Sequence, residues 1–315
     1  MIVLLTGGTG GAKFLQGLVH VVPQEQITCV VNTGDDFECW GLHISPDVDS
    51  ITYALAGRLS RERGWGVEGD TFECLEVMRK LGAPAWFQIG DRDLGLHIFR
   101  TEKLRAGRTL SQATADVVQR MGIRSLVLPM SDERVETRVA TPNGELSFQE
   151  YFVRERYRPP VSAVRLEGVE HARPAPGVVE AIQEAEAVII APSNPVTSIG
   201  PILTVPGIRE VLRQTPAPVA AVSPIVGSAA VNGPAAELMR TQGLPASIAG
   251  VANAYAEFLD VLIADERDAA ATSEVEALGI RVVCVPTIMR SEADKAALAQ
   301  AVLRTVLPPG LKATA

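Results

Sequence analysis

Seven short apolar runs recur along the chain, at Ile2–Leu5, Ile27–Asn32, Ser125–Leu128, Ala187–Ala191, Val219–Val222, Val261–Ile263 and Val282–Val285, mostly separated by longer amphipathic stretches. The runs are apolar at consecutive positions rather than at every second one, so each strand needs cover on both faces. A parallel sheet with helical crossovers meets that need. Seven irregularly spaced runs do not make the eight equal units of a closed barrel. The expected fold is therefore α/β, a Rossmann-like, doubly wound and mostly parallel sheet. With 315 residues, 47% of them hydrophobic and 21% charged, the chain can bury such a core as a single domain spanning 1–315.

Two regions break the alternation. Residues 49–122 carry apolar positions at three- and four-residue spacing over Ser50–Arg61, Asp70–Leu81 and Ser111–Met121, which reads as a helical elaboration. Val135–Thr141 and Glu145–Phe152 alternate with period two around Pro142-Asn143-Gly144, so 132–153 is expected to be a β-hairpin insertion. Lys312–Ala315 reads as a loose tail.

Composition removes several function classes. A net charge of −8, with no run of five basic residues, argues against a nucleic-acid partner. Arg58, Arg61 and Arg63 read as a solvated helix face. Cys29, Cys39, Cys74 and Cys284 lie far apart without a C-x-x-C pair, so reduced thiols and a cytoplasmic setting are expected rather than a zinc site or disulfides. The chain reaches a strand at Ile2 with no room for a signal peptide, and Ala217–Val231, its most apolar stretch, is broken by Pro218, Pro224 and Gly227. No membrane span is expected. His20, His43, His97 and His171 show no metal-ligand spacing, and no serine sits in G-x-S-x-G.

Four motifs remain. The first strand leads into Gly7-Gly8-Thr9-Gly10-Gly11-Ala12-Lys13 and then a helical pattern. Side-chain-free residues at a helix N-terminus let backbone N–H groups approach an anion, so the loop reads as a phosphate cradle, the alternative being a tight turn without a ligand. Its spacing matches neither G-x-x-x-x-G-K-[ST] nor G-x-G-x-x-G. The second run ends in Thr33-Gly34-Asp35-Asp36 and is followed by Ser45-Pro46-Asp47-Val48-Asp49, an acidic cluster where Mg²⁺ would screen carboxylates facing phosphates; helix capping and turn formation are the structural alternatives. Gly90-Asp91-Arg92-Asp93-Leu94, with His97 and Arg100 beyond it, reads as a polar substrate site or a charged surface turn. Pro192-Ser193-Asn194-Pro195 through Ser198-Ile199-Gly200-Pro201 offers hydroxyls, an amide and a helix start suited to a nucleotide base or ribose, or else a Pro-bounded loop. The segments Trp40, Trp65 and Trp86 offer aromatic faces for a flat ring or for the core.

Taken in order with Trp65–Phe72 and Ser223-Pro224-Ile225-Val226-Gly227, these motifs resemble the 2-phospho-L-lactate transferase family over most of the chain. The resemblance implies transfer of a phospholactyl or phosphoenolpyruvyl group from a guanosine-diphosphate-linked donor to the ribityl hydroxyl of 7,8-didemethyl-8-hydroxy-5-deazariboflavin (Fo), with release of GMP, in the biosynthesis of the deazaflavin coenzyme factor 420. It places the donor on Gly7, Gly8, Thr9, Gly10, Gly11 and Lys13 and on Ser193, Asn194, Ser198, Ile199 and Gly200. Fo falls near Asp49, Asp91 and Arg92, with Mg²⁺ at Asp47 and Asp49, the two residues expected to be catalytic. It also implies a homodimer. One segment departs: family members often carry a second glycine and a basic residue where this chain has Ser228-Ala229-Ala230-Val231-Asn232. The rival reading is a non-catalytic nucleotide-sugar-binding regulator of related fold, against which Trp65–Phe72 and Gly90–Leu94 speak. An NAD-dependent oxidoreductase is weakened by Lys13 at the last glycine position.

Overall fold

A computed structural model describes residues 1–307; the tail expected at Lys312–Ala315 lies outside the described residues. All seven apolar runs join one sheet: β1 Ile2–Thr6, β2 Ile27–Val31, β3 Leu126–Pro129, β4 Ala187–Ile190, β5 Val219–Val222, β6 Val261–Asp265 and β7 Arg281–Val285. They lie in the order β7-β6-β5-β4-β1-β2-β3, and every pairing is parallel. The chain builds outward from β1 to β3, then returns to start β4 on the other side of β1. The order reverses between β1 and β4, and a crevice at such a point is where open α/β sheets bind ligands.

Both faces of the sheet are covered. Ile2 and Leu4 pack with Phe14, Leu15, Ile51 and Val302 on one side. Val3 and Leu5 pack with Ile182, Ile199, Ile202 and Leu212 on the other. The strands are buried at every position in β1, β2 and β4, which is why their sequence shows no period of two. Helix α1, Gly8–Leu18, crosses the helix Glu292–Val306 closely enough that a Cβ at Gly17 would stand 2.1 Å from the Lys295 carbonyl oxygen.

The helical elaboration contains α2 Pro46–Leu55, α3 Glu73–Lys80, α4 Asp91–Arg105 and α5 Leu110–Arg120. Helix α2 starts earlier than the apolar pattern suggests, with Pro46 in its first turn, and stops at Leu55 rather than Arg61. Arg58, Arg61 and Arg63 therefore lie in a loop and not on a helix face; the Arg63 guanidinium sits between the rings of Trp65 and Phe72, 5.2 and 5.0 Å from their centroids. Helix α4 was unexpected. Its inward face is built from Asp93, His97 and Arg100 as well as Leu96, so the apolar three-and-four spacing is missing.

The expected hairpin forms between Glu136–Thr141 and Gly144–Ser147, with Thr141 opposite Gly144. Its second strand ends at Ser147, because Glu150–Arg154 winds into a π-helical turn, and Ala163–Glu167 adds a third strand beside Glu136–Thr141. A further small hairpin pairs Phe37–Cys39 with Leu42–Ile44 through Trp40 and Gly41, both at positive φ (53° and 74°), as a two-residue turn requires. The four cysteines are unpaired. Among the described residues no helix is long and apolar enough to cross a membrane.

Candidate functional site

The glycine loop sits where β1 meets α1, at the reversal point. Its glycines are required by close approach. A Cβ at Gly7 would lie 2.6 Å from Asp47 Oδ2, one at Gly10 2.2 Å from the Pro192 carbonyl oxygen, and one at Gly11 2.1 Å from Thr6 Oγ1, while Gly8 has a left-handed φ of 66°. The loop is thereby clamped between the ends of β2 and β4. Asp47 Oδ1 accepts from the Gly8 N–H at 2.7 Å, and its Oδ2 accepts from Asn32 Nδ2 at 2.9 Å. Ser193 Oγ donates to the Gly7 carbonyl at 2.7 Å from the β4 side.

Asn32 ties the three segments together. Its amide also donates to the Thr197 carbonyl at 3.2 Å, and its Oδ1 accepts from Gly34 N–H at 2.8 Å. Asn194 shapes the β4 loop: its side chain accepts from Val196 N–H and its carbonyl from the Ser198 and Ile199 N–H groups. Ser198 Oγ consequently stands 3.3 Å from where a Cβ at Gly8 would be.

Around this junction, polar atoms are buried without partners: the hydroxyls of Thr6, Thr33, Thr137 and Thr197 and one oxygen each of Asp35 and Asp36. Burial pushes Asp35 well above the usual carboxylate range, with Asp47 and Asp36 adding to the effect. Burial likewise pushes Asp47 up to about 6, against the hydrogen bonds from Asn32 and Gly8. Native structures leave few such groups unsatisfied, so their concentration at one sheet edge marks a place for a ligand or ion.

A second polar cluster lies behind the first. Asp49 on α2 meets Arg100 through both guanidinium Nη atoms, and His97 Nδ1 is 3.5 Å from its Oδ2. His97 Nε2 is 3.3 Å from Asp93 Oδ1, which accepts from the Tyr53 hydroxyl at 2.6 Å. All of these residues except Tyr53 come from Asp49 and the one face of α4, at positions 93, 97 and 100. Asp49, Asp93 and His97 each offer a ligand atom within 4.8 Å of the others, a spacing that could hold a metal. Burial works against the Arg100 charge, yet the Asp49 carboxylate outweighs it and raises Arg100 further. Burial would raise Asp93 as well, but bonding to His97 and Tyr53 holds it below its ordinary value.

A family model described as "2-phospho-L-lactate transferase CofD" matches residues 2–297. The chain belongs to that family. Its relatives include a 2-phospho-L-lactate transferase of Methanococcoides burtonii, 43% identical over 290 residues, which cover 92% of this chain and 94% of the relative. A phosphoenolpyruvate transferase of Streptomyces griseus is 45% identical over 308 residues, or 96% of this chain and 97% of the relative. Among solved structures, a UPF0052-family protein of Bacillus halodurans superposes with a TM-score of 0.64 over 96% of this chain and 98% of the other, at 16% identity, a likeness of fold.

For this CofD-family chain, the glycine loop, Asp47 and the residues Ser193–Gly200 meet at the reversal point of the sheet. Lys13 points from α1 toward the 57–70 loop, its Cε 3.8 Å from where a Cβ at Gly64 would be. Arg92 is exposed at the start of α4 and donates to the Glu68 carbonyl at 3.1 Å. Asp91 is used differently from the expectation. Its carboxylate accepts from Thr71 Oγ1 and from the Glu73 and Cys74 N–H groups, capping α3, and these bonds hold its pKa low. Asp70 does the same for α4, accepting from the Arg92 and Asp93 N–H groups. The sequence reading names Asp93, His97 and Arg100 as part of a polar segment but not as one buried helix face, and gives Asn32 no role; the i, i+4, i+7 spacing of the row is the available signal.

Proposed function

We propose that the protein transfers a phospholactyl or phosphoenolpyruvyl group from a guanosine-diphosphate-linked donor to the terminal ribityl hydroxyl of Fo, releasing GMP. The observation that carries this reading is the convergence of the glycine loop and the Ser193–Gly200 loop on the reversal point, beside a cluster of buried, under-neutralised carboxylates. In the proposed reaction the ribityl oxygen forms a bond to the donor phosphorus that carries the lactyl or enolpyruvyl ester as the bond to the GMP oxygen breaks. Such a displacement mainly requires positioning and charge neutralisation.

The backbone of Gly7, Gly8, Thr9, Gly10 and Gly11, with Lys13, would hold the diphosphate, and Ser193, Asn194, Ser198, Ile199 and Gly200 the guanosine. Asp47 is suited to accept the hydroxyl proton, because a carboxyl raised to about 6 is ionised at neutral pH yet basic enough to take it. Asp49, fixed by Arg100, and the exposed Arg92 would face Fo; Asp91 is left out because its carboxylate caps α3.

Mg²⁺ fits this site. Asp35 and Asp36 each present a buried oxygen without a hydrogen-bond donor, whereas both oxygens of Asp47 and of Asp49 are engaged. Asp35 and Asp36 would therefore take the cation together with the Asp47 and Asp49 region. When bound, Mg²⁺ would neutralise phosphate charge.

The test is direct incubation with Fo, Mg²⁺ and each guanylylated donor, followed by chromatography for GMP and the coupled deazaflavin. Product with either donor supports the proposal. Absence of product with both, accompanied by tight binding of a nucleotide sugar, would replace it with the regulator reading.

A further inference from the structure

The segment between β5 and the helix Ala235–Thr241 crosses back to the glycine loop, and neither the acidic cluster nor the β4 loop accounts for it. Ser223 Oγ bonds both the N–H and the carbonyl of Ile225, turning the chain, and Ile225–Val226 pairs antiparallel with Ala229–Ala230. Asp268, in the turn after β6, holds the tip: its Oδ1 accepts from the Gly227 N–H at 2.8 Å. Val231 N–H returns to the Pro224 carbonyl at 3.0 Å. Gly227 and Gly233 bracket the strap at left-handed φ values of 64° and 66°. At its far end Asn232 Nδ2 donates to Thr9 Oγ1 at 3.2 Å, inside the glycine loop.

We propose that Asn232 is a further donor-binding residue, delivered over the phosphate loop by this strap, with Asp268 as its positioning residue. Residues 226–233 contain no charged side chain. The strap therefore approaches the cradle with a neutral amide. One Asn232 N–H is taken by Thr9 and the other is free to donate to a phosphate oxygen bound there. Asp268 is 5% exposed and has one oxygen with no partner, so a single N–H of the strap is its hydrogen-bond contact. The arrangement gives recognition of a diphosphate by an amide and a hydroxyl rather than by a second cation beside Lys13, so the strap itself adds no salt dependence to donor affinity.

The inference rests on the proposed reaction, and the experiment separates the two. Wild-type turnover of the guanylylated donors is measured first; failure there removes the reaction. Given turnover, Asn232→Ala should raise the donor KM about tenfold, as loss of a hydrogen bond to a charged group does, with kcat changed less than about twofold. Asn232→Lys should restore affinity at low salt and lose it more steeply than the wild type as salt rises. Asp268→Ala should raise the donor KM like Asn232→Ala, and the double variant should be no worse than Asn232→Ala alone. Asp268→Asn, which keeps an acceptor for Gly227, should rescue it and provides the folded control if Asp268→Ala melts early. An unchanged donor KM in Asn232→Ala overturns the Asn232 assignment. An Asp268→Ala effect that persists undiminished in the Asn232→Ala background overturns the positioning role.

Discussion

Asp265 at the end of β6 and the aspartates beyond the end of β2 stand at the carboxyl ends of strands in the same sheet, and their surroundings are opposite. At the edge of β6, Asp265 accepts from Arg267 Nε at 2.6 Å, from Thr287 N–H at 3.0 Å and from Thr287 Oγ1 at 2.9 Å; the Arg267 bond first and the Thr287 bonds after it hold its carboxyl far below the usual range. At the end of β2 and the start of α2, burial pushes Asp35 and Asp47 upward, with Asp47 and Asp36 adding to the effect on Asp35 and Asp36 and Asp49 to that on Asp47. The first carboxylate is satisfied by the protein itself. The second group is not, and its ionised form costs stability that a bound cation would return. Burial of a carboxylate at a strand end therefore does not mark a site; burial without sufficient donors does.

The largest effect that can sharpen this contrast is on catalysis. Asp47→Asn should lower kcat by about 10³, close to 4 kcal/mol of transition-state stabilisation, with a small fall in Tm because its amide nitrogen must face either the Gly8 N–H or the Asn32 amide. Turnover near wild type would remove Asp47 as the base. Asp49→Asn strands the Arg100 charge, which is 2% exposed, and should cost about 3–5 kcal/mol in urea unfolding. A loss well below that would show water reaching the pair.

Mg²⁺ at roughly 100 times its Kd should stabilise the wild type by about 2.7 kcal/mol, and Asp35→Asn should abolish the increment while Asp265→Asn leaves it intact. Calorimetric melts with and without EDTA read this. Asp265→Asn should cost about 2 kcal/mol at neutral pH, from weakened bonds to a charged acceptor. Because the folded pKa is depressed, that stability is present above the unfolded value near 4 and is lost as pH falls below it, so the two proteins should converge in acid. Asp91→Ala, which removes only the α3 cap, should lower Tm less than Asp265→Asn and leave turnover unchanged; a rise in KM for Fo would return Asp91 to the acceptor site.

Much of the site was legible in the chain because it lies in local segments. The glycine loop, the Asp35–Asp49 segment and Ser193–Gly200 each follow a strand whose apolar run is unmistakable, and strand ends are where a doubly wound sheet gathers ligands. What the pattern hid were polar residues that act as core. Asp93, His97 and Arg100 face inward on α4 and so erase the apolar periodicity by which a helix is read. Asn32 looks like the last residue of a strand; its three bonds to Asp47, Thr197 and Gly34 exist only after segments 165 positions apart are adjacent.

The sequence by itself determined the sheet, since strands buried on both faces must be apolar throughout, and it determined the glycines, since no other residue permits the approaches at Gly7, Gly10 and Gly11. Only the tertiary structure decided which carboxylates are satisfied and which are left short of donors. Hydrogen-bond partners and desolvation depend on distances between segments, and those follow from the strand order β7-β6-β5-β4-β1-β2-β3, which no local pattern encodes.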